Sequence, residues 1–274
     1  MPELPEVEII RRYLDDALRG RVIESVTILL PRQLKHPDPE AFRALVRGQH
    51  IERVARRGKY MLIHLQEGAH LVFHLRMTGS LVYEPQGTAG ETGHTRMVFS
   101  LAGGGALRFS DIRTFGCVYG FAAGEEIAVP GLQSLGPEPL SDDFTSSYLA
   151  ALKGRKQPVK SFLLDQRRIA GLGNIYADEA LFLARIDPRR AAGSLSAVEC
   201  RRLAEAVRKV LREGIADGGT TFRDYRNGAG ESGHHQEHLY VYHREGKPCP
   251  VCGRPVEKTT VGGRGTHFCP YCQS

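Results

Sequence analysis

Four cysteines near the end of the chain constrain its fold more than any other feature. Cys249 and Cys252 enclose two residues, sixteen residues follow, and Cys269 and Cys272 enclose two more. Two CxxC turns at this separation form the pattern of a four-thiolate zinc site, with one turn supplying each pair of ligands. Sulfur ligands suit the tetrahedral preference of zinc. With all four positions filled by protein, no place is left for a reacting water, so one structural Zn2+ is expected. Two disulfides, or free thiols, are the alternative. The N-terminal residues lack the basic and apolar regions of a secretory signal, so export into an oxidising compartment is not expected. Cys117 and Cys200 have no partner pattern and are expected to pack in the interior.

The chain has 274 residues, which suits one large or two medium domains. No run approaches the ~20 apolar residues of a membrane span. Short β-branched and aromatic segments dominate the first ~130 residues: Val22–Leu30, Tyr60–Leu65, Ala69–Leu75, Met97–Leu101, Ala106–Ser110 and Cys117–Phe121. A helix is predicted at the start, where Pro5, Glu6 and Glu8 suit a first turn and Val7, Ile10 and Leu14 recur at helical spacing. A second runs from Pro39 to Val46. The stretch Pro130–Asp143 is rich in Pro and Gly and reads as a linker. Helices follow: one capped by Asp143 or Thr145, one over Ser161–Arg168, one over Asn174–Ala184, and one from the Ser196/Glu199 capping box to about Gly214. The expected organisation is α+β: a β-rich domain over 1–130, a linker over 131–143, a helical domain over 144–238, and a small metal module over 239–274.

Basic residues number 37 against 31 acidic ones, a net charge of +6 that fits a polyanionic partner without requiring one. Between the cysteine pairs, Gly262-Gly263-Arg264-Gly265 places Arg264 at a flexible tip suited to a bidentate phosphate contact; a solvated surface arginine is the alternative. Gly171-Leu172-Gly173-Asn174-Ile175-Tyr176 is not a dinucleotide loop, because no strand precedes it and the last glycine is missing. It reads as a turn feeding a helix N-terminus, either an ordinary interhelical turn or a phosphate site. Upstream, Lys153, Arg155, Lys156, Lys160, Arg167 and Arg168 accompany one acid, Asp165, giving a solvated face or a phosphate groove. At the other end, removal of Met1 would leave Pro2 with a free secondary amine. An α-amine has a pKa of about 7.7–8.0, so part of it is nucleophilic at neutral pH. Glu3 and Glu6 beside it could exchange protons with a reacting group, or could simply complement a helix dipole.

Met1-Pro2-Glu3-Leu4-Pro5-Glu6-Val7-Glu8, the Arg57-Gly58-Lys59 turn, Leu135-Gly136-Pro137-Glu138-Pro139-Leu140, Gly173-Asn174-Ile175-Tyr176 and the four-cysteine tail occur in that order. Together they closely resemble bacterial formamidopyrimidine-DNA glycosylase, and the resemblance runs from residue 1 to 274. It implies a β-rich N-terminal sandwich with an N-terminal helix, a helix-two-turns-helix second domain and a C-terminal β-hairpin zinc finger. It implies a cytoplasmic bacterial base-excision repair enzyme, monomeric and without a membrane. Its partner would be double-stranded DNA containing oxidised purines.

By the same resemblance Pro2 is the nucleophile and Glu3 the proton donor to the sugar ring oxygen. Lys59 and Arg264 match proton donors for β- and δ-elimination, and Glu6 supports the site. Arg264 is a poor acid by its ordinary pKa, so holding phosphate is its expected physical role. Met77, Arg113 and Phe115 match residues that fill the gap left by a flipped base. His94, Arg155, Asn174 and Arg264 match backbone contacts, with Tyr176 in the same motif as Asn174. Thr220–Gln236 matches the loop covering the flipped base. Three positions depart from the family pattern: Thr114, often basic in relatives; His235, where an aromatic is usual; and His243, where glycine is usual. An oxidised-pyrimidine glycosylase, a non-catalytic damage sensor and a zinc-ribbon transcription factor are the alternatives. The last two leave the N-terminus unexplained.

Overall fold

The computed structural model describes residues 1–86, 93–150 and 154–274, so Lys153 of the basic run lies outside the described residues. These residues group into two compact units: Met1–Gln133 with Asp217–His234, and Ser134–Ala216 with His235–Ser274.

In the first unit, alternating side chains build two sheets. The elements are α1 (Leu4–Leu18), β1 (Ile23–Ile28), β2 (Leu34–His36), α2 (Pro39–Val46), β3 (Ile51–Arg57), β4 (Tyr60–Leu65), β5 (His70–His74), β6 (Gly79–Glu84), β7 (Thr95–Leu101), β8 (Ala106–Asp111) and β9 (Cys117–Phe121). One sheet has the order β1-β7-β8-β6 and the other β2-β9-β5-β4-β3. All pairings are antiparallel except β2 with β9. The two sheets share one core, in which Phe73 of β5 meets Phe99 and Phe109 of β7 and β8 edge-on, at 6.0 and 6.1 Å between ring centres. Each such buried ring contributes about 1.5–3 kcal/mol by leaving water. α1 packs on β3, burying Val7, Ile10, Leu14 and Leu18 along one face. Asp38 caps α2 by accepting the Glu40 and Ala41 amides at 2.9 and 3.1 Å.

The strand segments read from the sequence are present, but β2, β3 and β6 were not among them. The reason is visible in β3, which buries Ile51 and Val54 fully while its remaining positions are mostly charged. Its membership of the sheet is decided by its partner β4 and by α1, not by its own composition.

The second unit holds α3 (Ser146–Ala150), α4 (Val159–Leu164), α5 (Asn174–Leu183), α6 (Ala197–Ala216), and the hairpin β10 (Glu257–Val261) and β11 (Arg264–Phe268). Of the two candidate caps for α3, Thr145 serves: its hydroxyl accepts the Tyr148 amide at 3.1 Å. The helix expected over Ser161–Arg168 ends at Leu164. The residues up to Gly173 form turns held by Gln166, whose amide nitrogen donates to the Leu164 and Leu172 carbonyls and whose oxygen accepts the Gly171 amide. The Ser196/Glu199 capping box is present, with the Ser196 amide donating to Glu199 at 2.7 Å and the Glu199 amide to the Ser196 hydroxyl at 3.3 Å.

Two domain boundaries differ from expectation. The linker expected over 131–143 is docked: Gly136 donates to Gln166 O at 2.9 Å, and a Cβ on Gly136 would meet Arg168 O at 2.4 Å. The loop expected within the helical domain belongs, through His234, to the first unit. The Thr220 amide donates to Glu6 and the Tyr83 amide donates to the Gly228 carbonyl, which ties the segment to α1 and β6. No helix among the described residues is long and apolar enough to cross a membrane.

Candidate active site and nucleic-acid contacts

The first unit holds three of the predicted site's ionisable groups out of water. Glu3 and Glu6 are 3% and 2% exposed and Lys59 is 7% exposed. Glu3 is the N-cap of α1 and Glu6 its third residue, and the two form a reciprocal capping box in which Glu6 Oε2 accepts the Glu3 amide at 2.8 Å. The other Glu6 oxygen accepts the Thr220 amide at 2.9 Å. The reading as helix-start acids is the one seen directly: they cap the helix, and capping immobilises two carboxyl groups next to Pro2, itself buried. Gly219 makes the approach possible, since its φ is +85° and a Cβ there would meet the Tyr225 ring at 2.9 Å and Glu6 Cγ at 3.2 Å.

Lys59 follows Gly58 in the two-residue turn between β3 and β4, where Arg57 pairs with Tyr60. Gly58 has φ +57°, as the first central position of a II′ turn requires. Arg56 fastens this turn to α1, donating to the Gly58 carbonyl at 2.9 Å and pairing with Glu8 at 3.0 Å. Burial, together with the Arg76 and Lys59 charges, pushes the nearby His74 down to about 3, so this imidazole is neutral at working pH.

A second group of predicted residues lies on two turns of the same unit, Met77 between β5 and β6 and Arg113 and Phe115 between β8 and β9. Met77 and Phe115 are 40% and 53% exposed, and the Arg113 guanidinium lies 4.8 Å above the Phe115 ring. The Arg113–Phe115 turn is built on Asp111, which sequence reasoning missed. One Asp111 oxygen accepts the Thr78 hydroxyl at 2.6 Å; the other accepts the Gly116 amide and the Gln33 side chain, both at 2.8 Å. An acid closing a strand just before an Arg-x-Phe turn was the available signal. His94 is exposed, and its carbonyl accepts the Asp111 amide.

In the second unit, Arg264 opens β11 after Gly262 and Gly263, whose φ values of +56° and +75° make the tight turn. Its exposed position is the expected one. The Asn174 amide, at the start of α5, donates to Gly265 O at 3.0 Å and so braces the hairpin beside Arg264. Arg155 is exposed.

Two expectations are corrected here. Tyr176 is fully enclosed, stacked on His235 at 5.5 Å and seated where a Cβ on Gly214 would lie 2.5 Å from its ring, so its side chain packs rather than contacting DNA. Lys160 is not part of a basic surface: it is fully buried, 2.6 Å from Asp178, and donates to Gly265 O and Thr266 Oγ1. Arg167, by contrast, stays on the surface, paired there with Asp165 at 3.0 Å. The unusual His235 fills the aromatic role by stacking on Tyr176, and His243 occupies a left-handed position, φ +58°, where glycine would be unstrained.

Next to Asp178, Glu179 accepts the Tyr240, Val241 and Tyr242 amides at 2.7, 2.9 and 2.8 Å. Burial raises its carboxyl to about 7, although the three amides pull the other way.

The four cysteine sulfurs all lie within 4.8 Å of one another, with Cys249 to Cys272 at 3.8 Å and Cys252 to Cys269 at 3.5 Å. Four thiolates around a zinc with bonds of about 2.3 Å stand about 3.8 Å apart, whereas a disulfide needs about 2.05 Å. The donor set and spacing fit one structural zinc.

Family models describe the same three parts. A formamidopyrimidine-DNA glycosylase N-terminal domain matches residues 1–118, a formamidopyrimidine-DNA glycosylase H2TH domain matches 135–226, and a zinc finger found in FPG and IleRS matches 246–274. The chain is 54% identical over 259 residues to the Moorella thermoacetica formamidopyrimidine-DNA glycosylase, covering 94% of each. Its structure is similar to that of the MutM (FPG) protein from Thermus thermophilus, with TM-score 0.88 and 47% identity over 99% of this chain and 98% of that one. It is also similar to a Lactococcus lactis FPG mutant in complex with a Fapy-dG containing DNA, with TM-score 0.92 and 34% identity over the whole of both chains.

Proposed function

The chain belongs to the formamidopyrimidine-DNA glycosylase family, and from that membership we propose that it is a bifunctional DNA glycosylase and abasic-site lyase acting in base-excision repair of oxidised purines, 8-oxoguanine and formamidopyrimidines among them. The observation that supports this reading best is the enclosure of Glu3 and Glu6 next to Pro2, since carboxyl groups held out of water beside an amine suit proton exchange with a reacting sugar.

With Met1 removed, the Pro2 nitrogen bonds to C1′ of the damaged nucleotide as the bond from C1′ to the base breaks. The departing base keeps that electron pair and takes up a proton. The C1′–O4′ bond then opens, Glu3 supplies the proton to O4′, and a Pro2 iminium remains. The iminium draws electrons from C2′, which loses a proton, and the 3′ phosphate leaves. Lys59 handles a proton in this β-elimination. A second elimination releases the 5′ phosphate, with Arg264 holding phosphate, and hydrolysis of the iminium returns the amine. Glu6 keeps Glu3 and the 217–234 segment in place. Met77, Arg113 and Phe115 replace the stacking lost when the base is flipped, and His94, Arg155 and Asn174 meet the backbone. The unit of 1–133 with 217–234 carries Pro2, Glu3 and Lys59, and the unit of 134–216 with 235–274 carries the helical DNA contacts and the zinc finger, in a monomer working in the bacterial cytoplasm.

Borohydride trapping on a duplex with 8-oxoguanine opposite cytosine tests the proposal. The expected result is a covalent adduct located at Pro2 by mass spectrometry and absent when the N-terminal amine is blocked. Tight lesion-specific binding without an adduct would support a damage sensor instead, and a preference for thymine-glycol duplexes would move the enzyme to the oxidised-pyrimidine class.

A further inference from the structure

Beside the turn that carries Arg113 and Phe115 lies a cation with no role so far. Arg32 sits in a single 3-10 turn, Pro31–Gln33, and its Nη2 donates to Thr114 Oγ1 at 2.7 Å. Thr114 stands at φ +57°, a left-handed conformation that a β-branched residue rarely adopts and that persists only where its surroundings impose it. The surroundings that impose it are on both sides of the turn. From beneath, the buried Gln33 donates to Asp111 at 2.8 Å and to the Gly116 carbonyl at 3.0 Å, clamping both ends of the turn. From outside, Arg32 holds the hydroxyl at its apex. Gln33 also fixes the backbone from which Arg32 reaches, so the guanidinium is presented from an anchored base although it is exposed.

The charge around this turn is one-sided. Arg32, Lys35 and Arg113 are all exposed, and Lys35 Nζ donates to the Arg32 carbonyl at 2.7 Å. The acid within the turn, Asp111, is 1% exposed and committed to Thr78, Gln33 and Gly116. No carboxylate of the described residues is ion-paired with Arg32 or Arg113. One of the five guanidinium N–H donors of Arg32 is used on Thr114, which orients the fork and leaves the others for an outside acceptor. Ile112 and Phe115, each about half exposed, complete a surface that offers cations and apolar planes together. A polyanion with stacked flat bases has the chemistry to match it.

We propose that Arg32 is a DNA-phosphate ligand, presented at the edge of the Arg113–Phe115 turn by its hydrogen bond to Thr114. The proposal rests on the DNA-repair reading above. The threonine hydroxyl at the apex of the turn is what steers the guanidinium.

Equilibrium binding of the full chain to an abasic-site duplex, measured across a salt series, tests this. Each phosphate contact adds about 0.9 to the magnitude of the slope of log K against log salt. Arg32→Ala is expected to lower that magnitude by about one and to weaken binding several-fold at moderate salt. Arg32→Lys, which keeps the charge and loses the fork, is expected to keep the slope. If Arg32→Ala binds more weakly with the wild-type slope, Arg32 merely braces the turn and the proposal is overturned. If the wild-type chain itself shows no lesion-duplex binding, the underlying DNA reading fails, which is a separate and recognisable result.

Discussion

The Glu6 carboxylate accepts the backbone amide of Thr220 at 2.9 Å, joining the first turn of the chain to a segment 214 residues away. Glu6 also accepts the Glu3 amide, so one side chain sets both the helix start beside Pro2 and the anchor of the 217–234 segment. Glu6→Ala leaves two buried amides without this acceptor, at a cost of about 1–3 kcal/mol each. Faster hydrogen exchange at the Thr220 amide and a base-excision rate lowered by at least tenfold are the expected outcomes. Glu6→Gln, which keeps an acceptor oxygen, should preserve the exchange protection better than it preserves activity.

Lys160 and Asp178 form an ion pair with no solvent exposure on either side chain. Removing one partner strands a buried charge. Lys160→Met should therefore destabilise the protein by about 3–5 kcal/mol in urea titration, while pairing it with Asp178→Leu should recover a large part of the loss. A surface lysine would show neither effect.

Withdrawal of zinc should act on the C-terminal hairpin. Metal binding to such sites supplies about 10–16 kcal/mol of apparent folding free energy. Elemental analysis should find one zinc per chain. A strong chelator should release it, abolish protection of the β10–β11 amides and eliminate DNA binding, because Arg264 begins the strand that carries two of the ligands to their place.

The Glu199 carboxyl is held down to about 2 by its hydrogen bond from Arg190 and by the Ser196 amide and hydroxyl, against a smaller opposing effect of burial. A folded-state pKa below the ordinary value of 4.5 means that this group stabilises the protein fully above pH 4.5 and loses that effect as the pH falls through about 2. Glu199→Gln should cost about 1 kcal/mol at pH 7, the size of a helix-cap loss, since the pair is partly open to solvent. Denaturation of the two proteins at pH 7 and near pH 2 should show that difference closing in acid.

Much of the architecture was legible in local patterns. The Gly262-Gly263 turn that exposes Arg264 and the Ser196/Glu199 box each depend on residues a few positions apart, and the zinc site on two such CxxC turns sixteen residues from one another. Glu3 and Glu6 were legible as a pair for the same reason, because a helix start needs its N-cap and third residue together.

The sequence by itself determined these elements and the metal site, since each is carried by a short motif or, for the zinc ligands, by two short motifs at a fixed separation. Only the tertiary structure decided which ionisable groups are accessible. Lys160 reads as one of a basic cluster yet is buried against Asp178, and Tyr176 reads as part of a contact motif yet packs under His235. Asp111 became the centre of a turn through Thr78 and Gln33, and Arg32 met Thr114 across 82 residues. The physical reason is that burial and pairing depend on which distant backbone closes over a side chain, and the energy of a charge depends on that enclosure far more than on its neighbours in sequence.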